Sequence, residues 1–424
     1  MRANYRLDRS VVAIDVDGTI HVLVDLVAPP APGVTRKPID VVVVIDRSGS
    51  MGGRKLEAVR RAVIQLGRLL GPADRLAVVT FDGNAQLVLP LGSHATAEFE
   101  RTIAGIRAGG STNLSGGWLC AHDELSNRGR DEALRRIIVL TDGEANAGIH
   151  DPALLVGIVG GGRQKEITTS VIGFGTGFNE ELCGSMADAG GGRDYFCEGP
   201  DQAPAVFRTE FEGLAALVAQ NIVVELRPDS RVRDVELVSD LPFTKVDGAL
   251  RIDVGDAIAD EKRSVIAKLR VGGISEPAAV KVADLEIRWT SIVGDVATYS
   301  TTIPVMVGAA PGSDADAAPV DHEVVERVDV LLAARARQEA MRLAYRGHFD
   351  EARRRIADAR EIARRHPAMA NDLQEILEDE QAIEDRRVSS RDTKSSYAAM
   401  KEKMRGEGTR RRFLTEDPDA DPHA

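Results

Sequence analysis

The sequence predicts an α/β fold joined to an all-β one. A doubly wound, mostly parallel sheet is expected to be inserted into, or to precede, an antiparallel β-sandwich, with an α-helical segment at the C-terminal end. Three observations predict this. From about residue 39 to 220, near-continuous Val/Ile runs alternate with helical stretches, as in a parallel sheet whose strands are buried on both faces. From 222 to 307 helical periodicity vanishes and apolar strands follow one another with turns between, the pattern of a sandwich. From 320 to 387 the chain is rich in Ala, Arg, Glu and Leu and its apolar period is helical.

Along the chain, residues 10–16 (SVVAIDV) and 19–27 (TIHVLVDLV) flank Asp17-Gly18. An Asp-Gly pair between apolar runs predicts a β-hairpin, because both turn residues need positive φ. A hairpin is too small to stand alone, so residues 1–37 are expected to join the β-sandwich. A linker with Pro29, Pro30, Pro32 and Gly33 follows. The α/β domain is expected over residues 38–219, with strands DVVVVID, RLAVVTF, QLVLPL, RRIIVLTD, TTSVIGFG and RDYFC. Leu56, Val59, Val63, Leu66 and Leu70 mark the buried face of its first helix. The sandwich is expected over 220–308, a linker (GAAPGSDADAAP) over 309–320, and helices over 321–388. There Gly347 separates two helical runs and Pro367 ends the second. Residues 389–424 form a basic, then acidic tail, expected to be partly disordered; residues 386–414 carry ten Lys/Arg against three Asp/Glu.

Composition narrows the function classes. The chain has 424 residues, 43% hydrophobic and 28% charged, and a formal charge of −12 from 54 Lys+Arg against 66 Asp+Glu. That balance argues against nucleic-acid binding, which needs clustered cations. No apolar run approaches the roughly 20 residues of a membrane span, and the first residues do not read as a signal peptide. Cys120, Cys183 and Cys197 lack CxxC spacing and cannot all pair. They predict reduced thiols in the cytoplasm. Eight scattered histidines argue against a zinc site.

The chemistry concentrates in DVVVVIDRSGSMGG. A buried strand delivers Asp46 into a loop where Asp46, Ser48 and Ser50 all offer side-chain oxygen, and Gly49, Gly52 and Gly53 let the backbone fold tightly. Such loops lie at the carboxyl ends of parallel strands, where ligands bind. Two further stretches fit the same place: Gly109-Gly110-Ser111-Thr112-Asn113 offers the Thr112 hydroxyl, and Leu140-Thr141-Asp142-Gly143 offers the Asp142 carboxylate. Hard oxygen donors of low total charge suit Mg²⁺, with Mn²⁺ or Ca²⁺ as alternatives. Asn113 and Glu144 lie alongside and read as surface polar residues.

These residues resemble the von Willebrand factor type A (VWA) family. The DxSxS motif stands as Asp46, Ser48 and Ser50, followed by Thr112 and Asp142: the five positions of that family's metal-ion-dependent adhesion site (MIDAS), in order. The resemblance implies a Rossmann-like doubly wound sheet with one antiparallel edge strand. It implies Mg²⁺ held directly by Ser48 and Ser50, largely through water by Asp46 and Asp142, and alternately by Thr112. It also implies an open metal position that a partner's Asp or Glu carboxylate completes, and coupling of the site to the domain's last helix. In the helical region AxxLAYxGxFxEAxxxI…P resembles a single tetratricopeptide repeat.

A rival motif, Asp15-Val16-Asp17-Gly18-Thr19, matches the DxDGT nucleophile of haloacid-dehalogenase-type phosphatases, with Gly255-Asp256…Asp260 as a partial acid pair. Its first Asp must end a central parallel strand, whereas here a second strand follows at once. The chain has neither GxxxxGK[ST] nor GxSxG. The expectation is therefore a non-enzymatic, cytoplasmic adaptor whose metal-bearing domain binds a protein carboxylate, with an ATPase or kinase complex as the kind of machine it would serve. The alternative is a scaffold that binds through its C-terminal helices and carries a vestigial metal site; a phosphatase is the third reading.

Overall fold

The computed structural model describes residues 1–30, 37–92, 97–142, 145–175, 178–197, 199, 202–292, 297–389, 392–393 and 397. They fall into two compact units. One combines residues 1–30, 219–291 and those from 297 onward; the other spans 37–218 and includes Ile292. The first unit is thus interrupted in sequence by the second.

The chain opens with three strands of the first unit, β1 (Arg2–Leu7), β2 (Val11–Ala13) and β3 (Gly18–Val27). The α/β unit then runs β4 (Ile39–Asp46), α1 (Arg54–Leu69), β5 (Arg75–Phe81), β6 (Ala85–Gly92), α2 (Ala97–Gly105) and α3 (Leu114–Arg128). It continues with β7 (Leu134–Thr141), α4 (Pro152–Gly162), β8 (Ile167–Phe174), α5 (Glu180–Ala189), β9 (Gly191–Cys197) and α6 (Ala203–Ala215). The strand order is β6-β5-β4-β7-β8-β9, all parallel except β6, which pairs antiparallel with β5. Pro90 sits in this edge strand, where a missing N–H is tolerated.

Strand periodicity divides β4 between two cores. Val41, Val43 and Ile45 pack with Leu56, Val59, Val63 and Leu66 of α1 and with Phe207 and Phe211 of α6. Val42 and Val44 face the other way, with Trp118 of α3, Leu155 of α4 and Met186 of α5. Every residue of β4 is therefore buried, which is why its sequence is an unbroken apolar run rather than an alternating one. Helix α3 approaches so closely that a Cβ on Gly117 would stand 2.7 Å from the Phe81 ring.

Asp40, fully buried at the start of β4, is clamped by two guanidinium groups: Arg75 donates at 3.0 and 2.5 Å, and Arg130 Nη2 at 2.6 Å. Burial alone would raise its carboxyl; the Arg75 and Arg130 hydrogen bonds outweigh burial and hold it below the usual carboxylate range.

The other unit contains β10 (Leu217–Pro228), β11 (Val232–Leu237), β12 (Phe243–Val246), β13 (Ala249–Ile258), β14 (Lys262–Val271), β15 (Ala278–Ser291) and β16 (Ala297–Ala310). They form two sheets, β1-β3-β14-β11 and β12-β13-β10-β15-β16-β2. The N-terminal strands differ from the expected hairpin. β3 pairs antiparallel with β1 and, along its whole length, with β14, while β2 leaves for the other sheet and runs parallel to β16. The Asp17-Gly18 turn does not form because positive φ falls on Asp15 instead, whose N–H bonds Ile274 O. Asp17 is ion-paired with Arg233 and Arg270. The rival nucleophile motif thus follows a three-residue strand at a sheet edge, not the central parallel strand its chemistry requires.

After β16 comes α7 (Gly312–Ala317), a short helix inside the stretch expected to be a linker, then α8 (His322–Tyr345), α9 (Phe349–Ala363) and α10 (Ala370–Glu384). Val324, Val328 and Leu331 of α8 pack on Leu23, Val238 and Ile266. Gly347, at φ +86°, turns α8 into α9. The second run, α9, ends at Ala363, ahead of Pro367 as expected, and Pro367 then opens a 3-10 turn that leads into α10, since its fixed φ suits a first helical turn. The basic tail lies outside the described residues, apart from 389, 392, 393 and 397.

Removing the Asp40 carboxylate leaves two guanidinium groups facing each other. Asp40→Ala is expected to destabilise the α/β unit by about 3 kcal/mol, read as a drop in the urea midpoint of Trp118 fluorescence in a Trp289→Phe background. Because the Asp40 pKa is depressed on folding, its contribution is present above the ordinary carboxylate range and is lost as pH falls through the folded value. The wild-type midpoint should therefore fall with acid more steeply than that of Asp40→Asn.

Candidate metal centre

The sheet order places a topological switch point between β4 and β7. From β4 the chain crosses to β5 on one side, while β7 lies on the other. Loops leaving such neighbours diverge and open a crevice at their carboxyl ends. Asp46 ends β4, and Asp142 directly follows β7.

The loop after β4 is tied to its neighbours through backbone groups. Arg47 N donates to Phe81 O at 2.8 Å, Gly109 N to Arg47 O at 2.7 Å and Gly49 N to Gly110 O at 3.3 Å. Gly110 has φ +85°, and a Cβ there would stand 2.9 Å from Asp82 Cβ, so this crossing needs glycine. Asn113 N bonds Asp82 O at 2.7 Å, and the Asn113 side chain caps α3 by accepting from Gly116 N at 2.9 Å. Asn113 is thus structural rather than an idle surface residue.

Within this frame four of the five predicted residues are joined side by side. Asp46 Oδ1 accepts from Ser48 N at 2.8 Å, Ser48 Oγ lies 3.1 Å from Ser50 Oγ, and Ser50 Oγ donates to Asp142 Oδ1 at 2.7 Å. Thr112 is brought in by its loop. Its N–H donates to Asn146 Oδ1 at 2.8 Å and its carbonyl accepts from Asn146 N at 3.1 Å. Among the described residues its hydroxyl makes no hydrogen bond to the other four. Asp46, Ser48, Thr112 and Asp142 are all buried, whereas Ser50 is exposed, so Ser50 is the solvent-facing member of the group. Gly143 and Glu144 lie outside the described residues.

Sequence reasoning passed over three residues. Thr141 Oγ1 donates to Asp46 Oδ2 at 2.7 Å, Asn146 positions Thr112, and the Lys55 ammonium bonds Asp142 Oδ2. Thr141 had a signal, as the hydroxyl residue that ends the buried strand beside Asp142; Asn146 and Lys55 had none.

The donor set suits a hard divalent cation. It offers three hydroxyls and two carboxylates, and neutral N–H and O–H groups hold Asp46. Burial pushes the Asp46 carboxyl above its ordinary range, hydrogen bonds from Ser48 and Thr141 oppose the shift, and the nearby Asp142 charge adds to it. A buried acid in that position gains from an added positive charge. Among the described residues no cluster of three or more His, Cys, Asp or Glu offers an alternative centre.

Residues 40–206 match the model of the von Willebrand factor type A domain family. Such domains commonly bind a metal at their MIDAS and often mediate protein interactions. The sll0103 protein of Synechocystis sp. is 27% identical over 296 residues, covering 66% of this chain and 69% of that protein. Two solved structures share the fold across both units. A von Willebrand factor type A protein from Catenulispora acidiphila has a TM-score of 0.71 and 17% identity, covering 88% of each chain. The ArnB paralog VWA2 from Sulfolobus acidocaldarius has a TM-score of 0.63 and 16% identity, covering 96% of this chain and 98% of that one.

Thr141→Val keeps the side-chain shape and removes the hydroxyl donor from a buried carboxylate. It is expected to lower the stability of the α/β unit by about 2 kcal/mol, measured by urea unfolding without added metal.

Proposed function

We propose that this protein is a metal-dependent adaptor that binds a carboxylate of a protein partner. Asp46, Ser48, Ser50, Thr112 and Asp142 would hold a divalent cation, Mg²⁺ before Mn²⁺ or Ca²⁺. When bound, the ion supplies a Lewis-acidic point for an Asp or Glu side chain. The observation that carries this reading is the contrast along one strand. Asp40 and Asp46 are both fully buried in β4, yet Asp40 is neutralised by two arginines, while Asp46 is held by uncharged groups from Ser48 and Thr141. The protein completes the first charge and leaves the second for an ion from outside.

The chain's own residues supply selection at the mouth. The exposed Ser50 marks where a visiting group would enter. The β-sheets and C-terminal helices would position this domain or recruit a second protein, an ATPase or kinase assembly being the kind of machine such an adaptor would serve. We read the protein as a non-enzyme. No helix among the described residues is long and apolar enough to cross a membrane. Cys120 and Cys197 stand outside any disulfide, which supports a reducing, cytoplasmic setting; burial pushes the Cys197 thiol up to about 12.

The test is recovery of partners on the immobilised full chain with Mg²⁺, followed by an EDTA wash. Release of the captured protein, together with loss of both capture and calorimetric Mg²⁺ uptake in Ser48→Ala/Ser50→Ala at unchanged circular dichroism, is the expected result. Capture that persists through EDTA would instead favour the scaffold reading, in which the C-terminal helices bind.

A further inference from the structure

One of the five oxygen donors, Asp142, already holds a cation of the protein's own. Lys55, the second residue of α1, bonds Asp142 Oδ2 and lies 3.3 Å from the carbonyl oxygen of Ser50. The Asp142 side chain has no solvent exposure, and its other oxygen is taken by the Ser50 hydroxyl. The Lys55 side chain is 36% exposed, so its ammonium can swing on its flexible stem into solvent. The nearby Arg47 is not equivalent, because its guanidinium is committed to Asp82 at 2.6 Å.

We propose that Lys55 is a built-in competitor for the divalent cation of this centre and thereby sets its affinity. The inference rests on the metal-centre reading. Asp142 Oδ2 faces an ammonium that must move or share when a second cation arrives, and two cations a few ångströms apart repel strongly even at the permittivity of a protein surface. The charge count gives the arrangement a use. Asp46 and Asp142 contribute two negative charges, which a divalent ion alone would cancel. With Lys55 present the loaded centre keeps one positive charge, which an arriving carboxylate neutralises. The lysine therefore holds the ion more loosely and makes the loaded centre more selective for an anion.

The experiment is calorimetric titration of Mg²⁺ alone into the full chain, comparing wild type with Lys55→Met, Lys55→Gln and Lys55→Arg. The two neutral variants guard against a local packing effect of either one. They are expected to bind Mg²⁺ about tenfold more tightly, with Lys55→Arg close to wild type and the gap between neutral and charged variants narrowing at high salt. Uptake by the neutral variants where the wild type shows none also supports the proposal. Equal affinities across all four proteins would overturn the competitor role and leave the metal centre standing. No uptake by any of them would overturn the metal centre and the competitor role with it.

Discussion

An aspartate that no cationic side chain bonds among the described residues, at the end of a strand buried on both faces, is the constraint around which the α/β unit is arranged. Strand β4 has no solvent-facing residue, so the Asp46 carboxylate at its end cannot turn to water. Thr141 from β7 and the Ser48 N–H steady it, but neither brings charge. The loops carrying Thr112 and Asp142 converge on the same recess because β4 and β7 flank the switch point of the sheet. Glycine-mediated backbone bonds then lock the β4 loop to the Gly109–Gly110 turn.

The other end of the same strand shows what the protein does when it intends to neutralise an acid itself. Asp40 receives two guanidinium groups in paired hydrogen bonds, and its carboxyl is depressed, whereas that of Asp46 is raised. Six residues apart in one strand, the two acids experience opposite electrostatics: one is clamped by two arginines at the base of the sheet, the other is held by uncharged groups at its top. Lys55 stands between these extremes, as a single half-exposed charge on Asp142, where Asp40 has a pair of arginines.

The β unit shows where local reading loses the thread. Asp17-Gly18 is a strong hairpin signal, yet Asp17 serves as an anion for Arg233 and Arg270, and the flanking strands find partners nearly 250 residues away in β14 and nearly 300 residues away in β16. Turn propensity is worth little against the pairing of a ten-residue strand on both its edges.

The sequence by itself determined the alternation of buried strands and amphipathic helices, because burial on both faces demands the apolar runs of β4 and β7. It also determined the chemical types of the donors at Asp46, Ser48, Ser50, Thr112 and Asp142, because hydroxyls and acids in that order have a recognisable spacing. Only the tertiary structure decided which groups orient those donors: Thr141 on Asp46, Asn146 on Thr112 and Lys55 on Asp142, across separations of 95, 34 and 87 residues. Contacts so distant leave no local signature, since each depends on where a strand or helix ends in space and not on the residues beside it in the chain.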